Sequence, residues 1–98
     1  MPPITDPLGR RIELHDWTWW GHIVKGHPEM RQLRAQVEQT IASPVAIHFS
    51  SSDPDCRLYY GPSPASGLMI CVVADVAAGL VKTAYLAKSV KPGGQEWP

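Results

Sequence analysis

Apolar side chains recur along this 98-residue chain in two different periods. From Trp17 to Ile41 they fall mostly three or four positions apart; from Val45 to Ala87 they alternate with polar residues or run together in short blocks. The first spacing is that of a helix stripe and the second that of strands. Trp17, Trp20, Ile23 and Val24 predict one apolar helix face, with Trp19 and His22 on its flank. Asp16 is a suitable N-cap before this helix and Gly26 a suitable stop after it. His27-Pro28-Glu29 opens a second helix, since proline is tolerated at the first helical position and a carboxylate there complements the dipole. Met30, Leu33, Val37 and Ile41 then repeat at 3, 4 and 4, until Ser43-Pro44 ends the pattern.

Four strands are predicted to follow: Val45 to Phe49, Cys56 to Tyr60, Leu68 to Ala74 and Leu80 to Ala87. The third is almost uniformly apolar, as expected of a strand buried on both faces. A short strand, Arg10 to Leu14, precedes the helices, with Ile12 and Leu14 on one face. Residues 1–9 are proline-rich and predict a flexible N-terminal arm; residues 91–98 are a glycine- and proline-rich tail apart from Trp97. Segregated helices and strands make an α+β fold: two N-terminal helices packed on a four-stranded antiparallel meander, with a short extra N-terminal strand, as a single domain over residues 10–98. The helices then bury Trp17, Trp20, Met30, Leu33 and Val37 against Ile47, Leu58, Ile70 or Val72.

Composition agrees with a globular domain, at 44% hydrophobic and 18% charged residues. Net charge is zero overall and in each half, which argues against a non-specific nucleic-acid coat. The distribution is less even. Lys82, Lys88 and Lys91 occur between Val76 and Gln95 without an acid, and Lys25, Arg31 and Arg34 stand against Glu29 alone between His22 and Arg34. A local anionic site is expected where these segments meet. No apolar run reaches the roughly 18 residues of a membrane span, and the N-terminus lacks signal-peptide features, so a cytoplasmic location is expected. A hairpin centred on Ser63-Pro64 sets Cys56 opposite Cys71; in such a compartment the pair reads as two small buried apolar residues, not a disulfide.

The candidate chemistry starts at Gly21 to Glu29, where two histidines and a lysine meet at a helix junction. By strand period, Arg57 shares a face with Tyr59, and Thr83 with Tyr85. If these pairs point to the junction, His22, His27, Arg57, Thr83 and Tyr85 converge. Such a set suits RNA cleavage without a metal. One histidine takes the 2′-hydroxyl proton and the other protonates the leaving 5′-oxygen, while Arg57, Thr83 and Tyr85 hold the charged phosphorane. Lys25, Lys82 and Tyr59 are candidate substrate-binding residues, with Tyr59 or Tyr85 stacking on a base. The bland readings stand beside these: junction histidines, a solvated Arg57, ordinary strand residues at 83 and 85, structural His15 and His48. The three helix tryptophans read mainly as core, one of them being a candidate stacking wall. His22 and His27 are five apart, about 140° on a continuous helix, and neither H-E-x-x-H nor Cys-x-x-Cys occurs, so no metal or cofactor is expected.

His22-Ile23…His27-Pro28-Glu29, Pro44 to Ile47, Tyr59-Tyr60-Gly61, Met69 to Val73 and Val81-Lys82-Thr83-Ala84-Tyr85, in this order, resemble the phage- and toxin-associated nucleases of the barnase–EndoU–colicin–RelE-like superfamily. The chain is similar in particular to small phage domains with an "HI…HPE" helix pair and a final "(V/I)xTAY" strand, over roughly residues 10–97. The resemblance implies helices on a four-stranded antiparallel sheet and a metal-independent endoribonuclease leaving 2′,3′-cyclic phosphate ends. It implies RNA as the substrate, tRNA or mRNA among the choices, and an antitoxin or immunity protein as partner. It also implies action in the cytoplasm, including a target cell's if the domain belongs to a larger toxin. By the same resemblance His22, His27, Arg57, Thr83 and Tyr85 carry catalysis. A non-catalytic binding module on the same fold is the alternative expectation, favoured by neutral charge and the tryptophan cluster.

Overall fold

The computed structural model describes residues 3–98, and in them the strand pattern forms one antiparallel sheet of five strands. β1 (Ile4–Thr5) and β2 (Arg11–Ile12) make a small separate hairpin. α1 (Asp16–Thr18) runs directly into a π-helical turn, Trp19–Val24; a 3₁₀ turn, Pro28–Met30, then leads to α2 (Arg34–Ala42). The sheet contains β3 (Ala46–Phe49), β4 (Cys56–Pro62), β5 (Met69–Asp75), β6 (Leu80–Ala87) and β7 (Gln95–Trp97), in the order β6-β5-β4-β3-β7. The expected four-stranded meander is present. The tail adds the fifth strand beside β3, with Ile47 opposite Trp97. Three residues between glycines and a proline carry too little alternation to announce a strand.

Side chains alternate between two clusters. Ile47, Tyr59, Ile70, Val72, Ala74 and Ala84 meet the helices, while Leu58, Tyr60 and Cys71 gather on the opposite face of the sheet. Leu58 therefore does not pack under the helices as expected. The same holds for two tryptophans. Trp19 and Ile23 are the buried pair of the first helix, with Trp17 73% and Trp20 54% exposed. Three tryptophans in four positions leave the buried face ambiguous by spacing alone, and tertiary packing selects the i, i+4 pair Trp19 and Ile23. Arg34 covers Trp19, its guanidinium 5.8 Å from the ring centre. Met30, Val37 and Ile41 are buried as expected, with Leu33 half-buried. Their helix is broken, however, because Met30, Arg31 and Leu33 make only i→i+3 backbone bonds at the 3₁₀ turn.

The β4–β5 register pairs Tyr60 with Cys71 and Cys56 with Asp75. The hairpin is thus centred beyond Ser63-Pro64, and the two buried cysteines are free. The N-terminal segment, expected as a flexible arm, is anchored. Asp6 is buried, accepts the Tyr59 hydroxyl at 2.6 Å and pairs with Arg10 at 2.8 Å. The remainder of that expected arm, Met1 and Pro2, lies outside the described residues. Among the described residues, no helix is long and apolar enough to cross a membrane.

Candidate active site

β6 is an outer strand of the sheet, and a bulge sets what it displays. The β5–β6 register moves from Val73 opposite Thr83 to Ala74 opposite Val81, leaving Lys82 unpaired. Val81 and Ala84, three positions apart, consequently both reach the core. Lys82 is exposed, and Thr83 and Tyr85 face away from the helix-side core. The π-helical turn and the following junction cross this strand. His22, Lys25, His27 and Thr83 thereby line one depression of about 230 Å³.

His27 rests on Tyr85, ring centres 5.8 Å apart and planes 34° from parallel. Glu29 Oε2 lies 3.6 Å from His27 Nδ1, an ion-pair distance when the imidazole is protonated. Lys91 Nζ stands 5.0 Å from the centre of the same tyrosine ring, within cation–π range. The Tyr85 hydroxyl oxygen is buried, and its contact with the Cys71 thiol falls short of hydrogen-bond geometry. Burial, with the thiol as a second cause, holds this phenol well above the ordinary tyrosine value. Tyr85 therefore keeps its proton through the neutral range. Burial likewise pushes Tyr60 up to about 12, although its oxygen accepts the Lys91 backbone N–H at 3.0 Å.

Two further depressions adjoin the first. One, of about 430 Å³, has His22, Lys82 and Thr83 in its wall together with Ser50, Ser52 and Asp53. The other is a groove of about 450 Å³ that shares His22 and Lys82 and extends past Trp17 and Leu80. His22 lines all three, so it stands where they meet.

Arg57 and Tyr59 are not part of this assembly. They lie on the helix-side face of β4, opposite to Leu58 and Tyr60. Arg57 donates Nε to Glu96 at 2.9 Å and Nη1 to the Pro54 carbonyl at 2.8 Å, and its guanidinium lies 4.4 Å from the Phe49 ring centre. Tyr59 is fully buried and so offers no face for a base to stack on. The period of two correctly paired Arg57 with Tyr59 and Thr83 with Tyr85, but each pair lies on a different face. Lys91 is the cation that reaches the Tyr85 ring instead. Its membership in an acid-free lysine run was visible, but its position depends on β7 drawing the tail across β3. His48 is used structurally, edge-on to Tyr60 with Nδ1 3.3 Å from the Gly93 carbonyl oxygen. His15 lies outside the depression of His22 and His27, 3.9 Å from Glu13.

Among the described residues, no group of three or more histidine, cysteine, aspartate or glutamate side chains is disposed to hold a metal ion. What the β6 edge offers is two imidazoles, the Lys25 ammonium group and the Thr83 hydroxyl around an open depression. No family model, curated protein or solved structure matches the chain, so the reading of this site rests on its own chemistry.

Proposed function

We propose that the protein is a metal-independent endoribonuclease of barnase–EndoU–colicin–RelE-like fold, acting in a phage or toxin setting and countered by an antitoxin or immunity protein. The observation that carries the reading is the shared depression of His22, Lys25, His27 and Thr83, with Tyr85 beneath His27. In this reading the scissile phosphate lies over Thr83, with Lys25 in the same wall, Lys82 on the adjoining depression and Lys91 over the Tyr85 ring. Neutral His22 removes the 2′-hydroxyl proton, the oxygen attacks phosphorus, and protonated His27 gives its proton to the departing 5′-oxygen. His27, whose Nδ1 lies 3.6 Å from Glu29 Oε2, is given the acid role in this reading. Tyr85 is a positioning residue, setting the His27 ring by contact. Each acid–base contribution is typically about a hundred- to ten-thousand-fold in rate.

The test is incubation with total RNA, tRNA and mRNA in EDTA over pH 5–8, with analysis of product ends. The expected products carry 2′,3′-cyclic phosphates. Since one imidazole must be neutral and the other charged, activity falls on both sides of an optimum. His22→Ala and His27→Ala each lose at least about a hundred-fold while remaining folded. A substrate with a nitrophenolate leaving group, which needs no protonation, restores turnover to His27→Ala but not to His22→Ala. Intact RNA throughout, with folded protein, defeats the reading.

A second reading, a non-catalytic binding module, is favoured by the exposed Trp17 and Trp20. Under it, tryptophan fluorescence responds to a protein partner and not to RNA.

A further inference from the structure

The groove beside His22 is larger than a phosphate requires and changes character along its length. Trp17 and Leu80, 73% and 36% exposed, supply apolar wall. His22 also lines both adjoining depressions and Lys82 one of them, so these two mark the near end. Glu13 lines neither of those depressions and marks the far end, with Asp75 also in the groove wall. One Asp75 oxygen accepts the Ala78 N–H at 2.9 Å, and Glu13 Oε1 is 3.9 Å from His15 Nε2. Burial of Trp17 is not what holds the fold together, since Trp19 fills the core position on this helix.

We infer that this groove is a nucleobase subsite. The base adjoining the scissile phosphate stacks on Trp17 against Leu80, while its phosphate stays with His22 and Lys82. The inference rests on the endoribonuclease reading and adds to it where the substrate is gripped. Charge decides the occupant. Glu13 and Asp75, with the half-exposed His15 ring in the same wall, disfavour a second phosphate, whereas a neutral base meets carboxylate oxygens that accept its ring and amino N–H groups. The Lys82 ammonium group at the near end fixes the direction, with backbone toward His22 and base toward Glu13. Aromatic stacking of a base tolerates all four bases because each has a π-face.

The experiment uses a 2′-deoxy dinucleoside monophosphate, which lacks the attacking hydroxyl and stays intact. It is titrated against the 98-residue chain and its Trp17→Ala variant, followed by tryptophan fluorescence and backed by calorimetry. Binding weakens roughly ten-fold in Trp17→Ala and stays near wild type in Trp17→Phe, in line with the loss of one stack. On cleavable RNA, Trp17→Ala raises KM by a similar factor with kcat within about two-fold, because stacking binds ground and transition states alike. Equal dinucleotide affinity of wild type and Trp17→Ala overturns the subsite, as does an unchanged KM in Trp17→Ala when the wild type cleaves RNA; the nuclease reading survives both results. Dinucleotide binding that depends on Trp17, in a protein that cuts no RNA, keeps the subsite and ends the nuclease reading. A response of Trp17 to apolar peptide and not to dinucleotide overturns the subsite.

Discussion

Asp6 Oδ2 receives two donors inside the protein, the Tyr59 hydroxyl at 2.6 Å and Arg10 Nε at 2.8 Å. Removing the hydroxyl leaves a buried carboxylate with one partner fewer. Tyr59→Phe is expected to cost about 2 kcal/mol in urea unfolding and to leave RNA cleavage per folded molecule unchanged. Arg57 follows the same logic, because its guanidinium is committed to Glu96, Pro54 and Phe49. Arg57→Ala lowers the unfolding midpoint without lowering kcat; a hundred-fold drop in kcat with intact stability would return Arg57 to the catalytic set. Lys91→Ala is the contrasting variant. It removes the ammonium group over Tyr85, raises KM for RNA and reduces the salt dependence of binding by about one unit of slope. Chain spacing shows which side chains share a face. Which face carries the site was illegible here because it depends on partners such as Glu96, 39 residues beyond Arg57.

At the scale of elements, what was readable and what was not separate along physical lines. The β3 to β6 meander and the junction histidines were legible because local alternation and a His-Pro-Glu start are local signals. The face of the first helix was not, since any of three tryptophans satisfies the pattern and only packing chooses Trp19. β7 was not, because its pairing with β3 is wholly non-local. The contact of α2 with β4 shows how tightly the choice is then fixed. Gly61 lies so close to α2 that an added Cβ would stand 2.6 Å from Thr40 Oγ1 and 2.9 Å from its Cγ2. The Thr40 hydroxyl is itself bonded to the Gln36 carbonyl at 2.7 Å, so it does not swing aside freely. Gly61→Ala is expected to destabilise by about 1–3 kcal/mol through overpacking. Adding Thr40→Ala removes both atoms and recovers most of that loss. A double-mutant cycle by denaturant unfolding measures the coupling, and additive losses would show that the helix does not bear on the strand at this point.

The whole molecule is tied at its ends by one ionic chain. Asp6 pairs with Arg10, Arg10 grips Glu96 with two bonds of 3.1 and 2.7 Å, and Glu96 also receives Arg57. The N-terminal hairpin, β4 and β7 are thereby joined through four side chains. Burial alone would raise both carboxyls, yet the bonds from Tyr59 and Arg10 hold Asp6 below its ordinary 3.8, and those from Arg10 and Arg57 hold Glu96 below its ordinary 4.5. Both groups thus bind protons less readily in the folded chain than in the unfolded one. As pH falls from about 5 through those ordinary values, the unfolded chain takes up more protons than the folded chain, and stability declines. The decline ends once the pH is below the folded values; above about pH 5 these two groups contribute a constant amount. Urea midpoints measured from pH 7 to pH 2.5 should therefore be flat and then fall. Glu96→Gln keeps the shape of the side chain but not its charge. It is expected to lose about 1–3 kcal/mol at pH 7 and to show a shallower acid limb than wild type. An identical acid limb in the two proteins would place the pH dependence elsewhere. Loosening of β7 in the same variant would shift the tail that carries Lys91, so weaker RNA binding at neutral pH is expected to accompany the loss of stability, linking the clasp at the termini to the edge of β6.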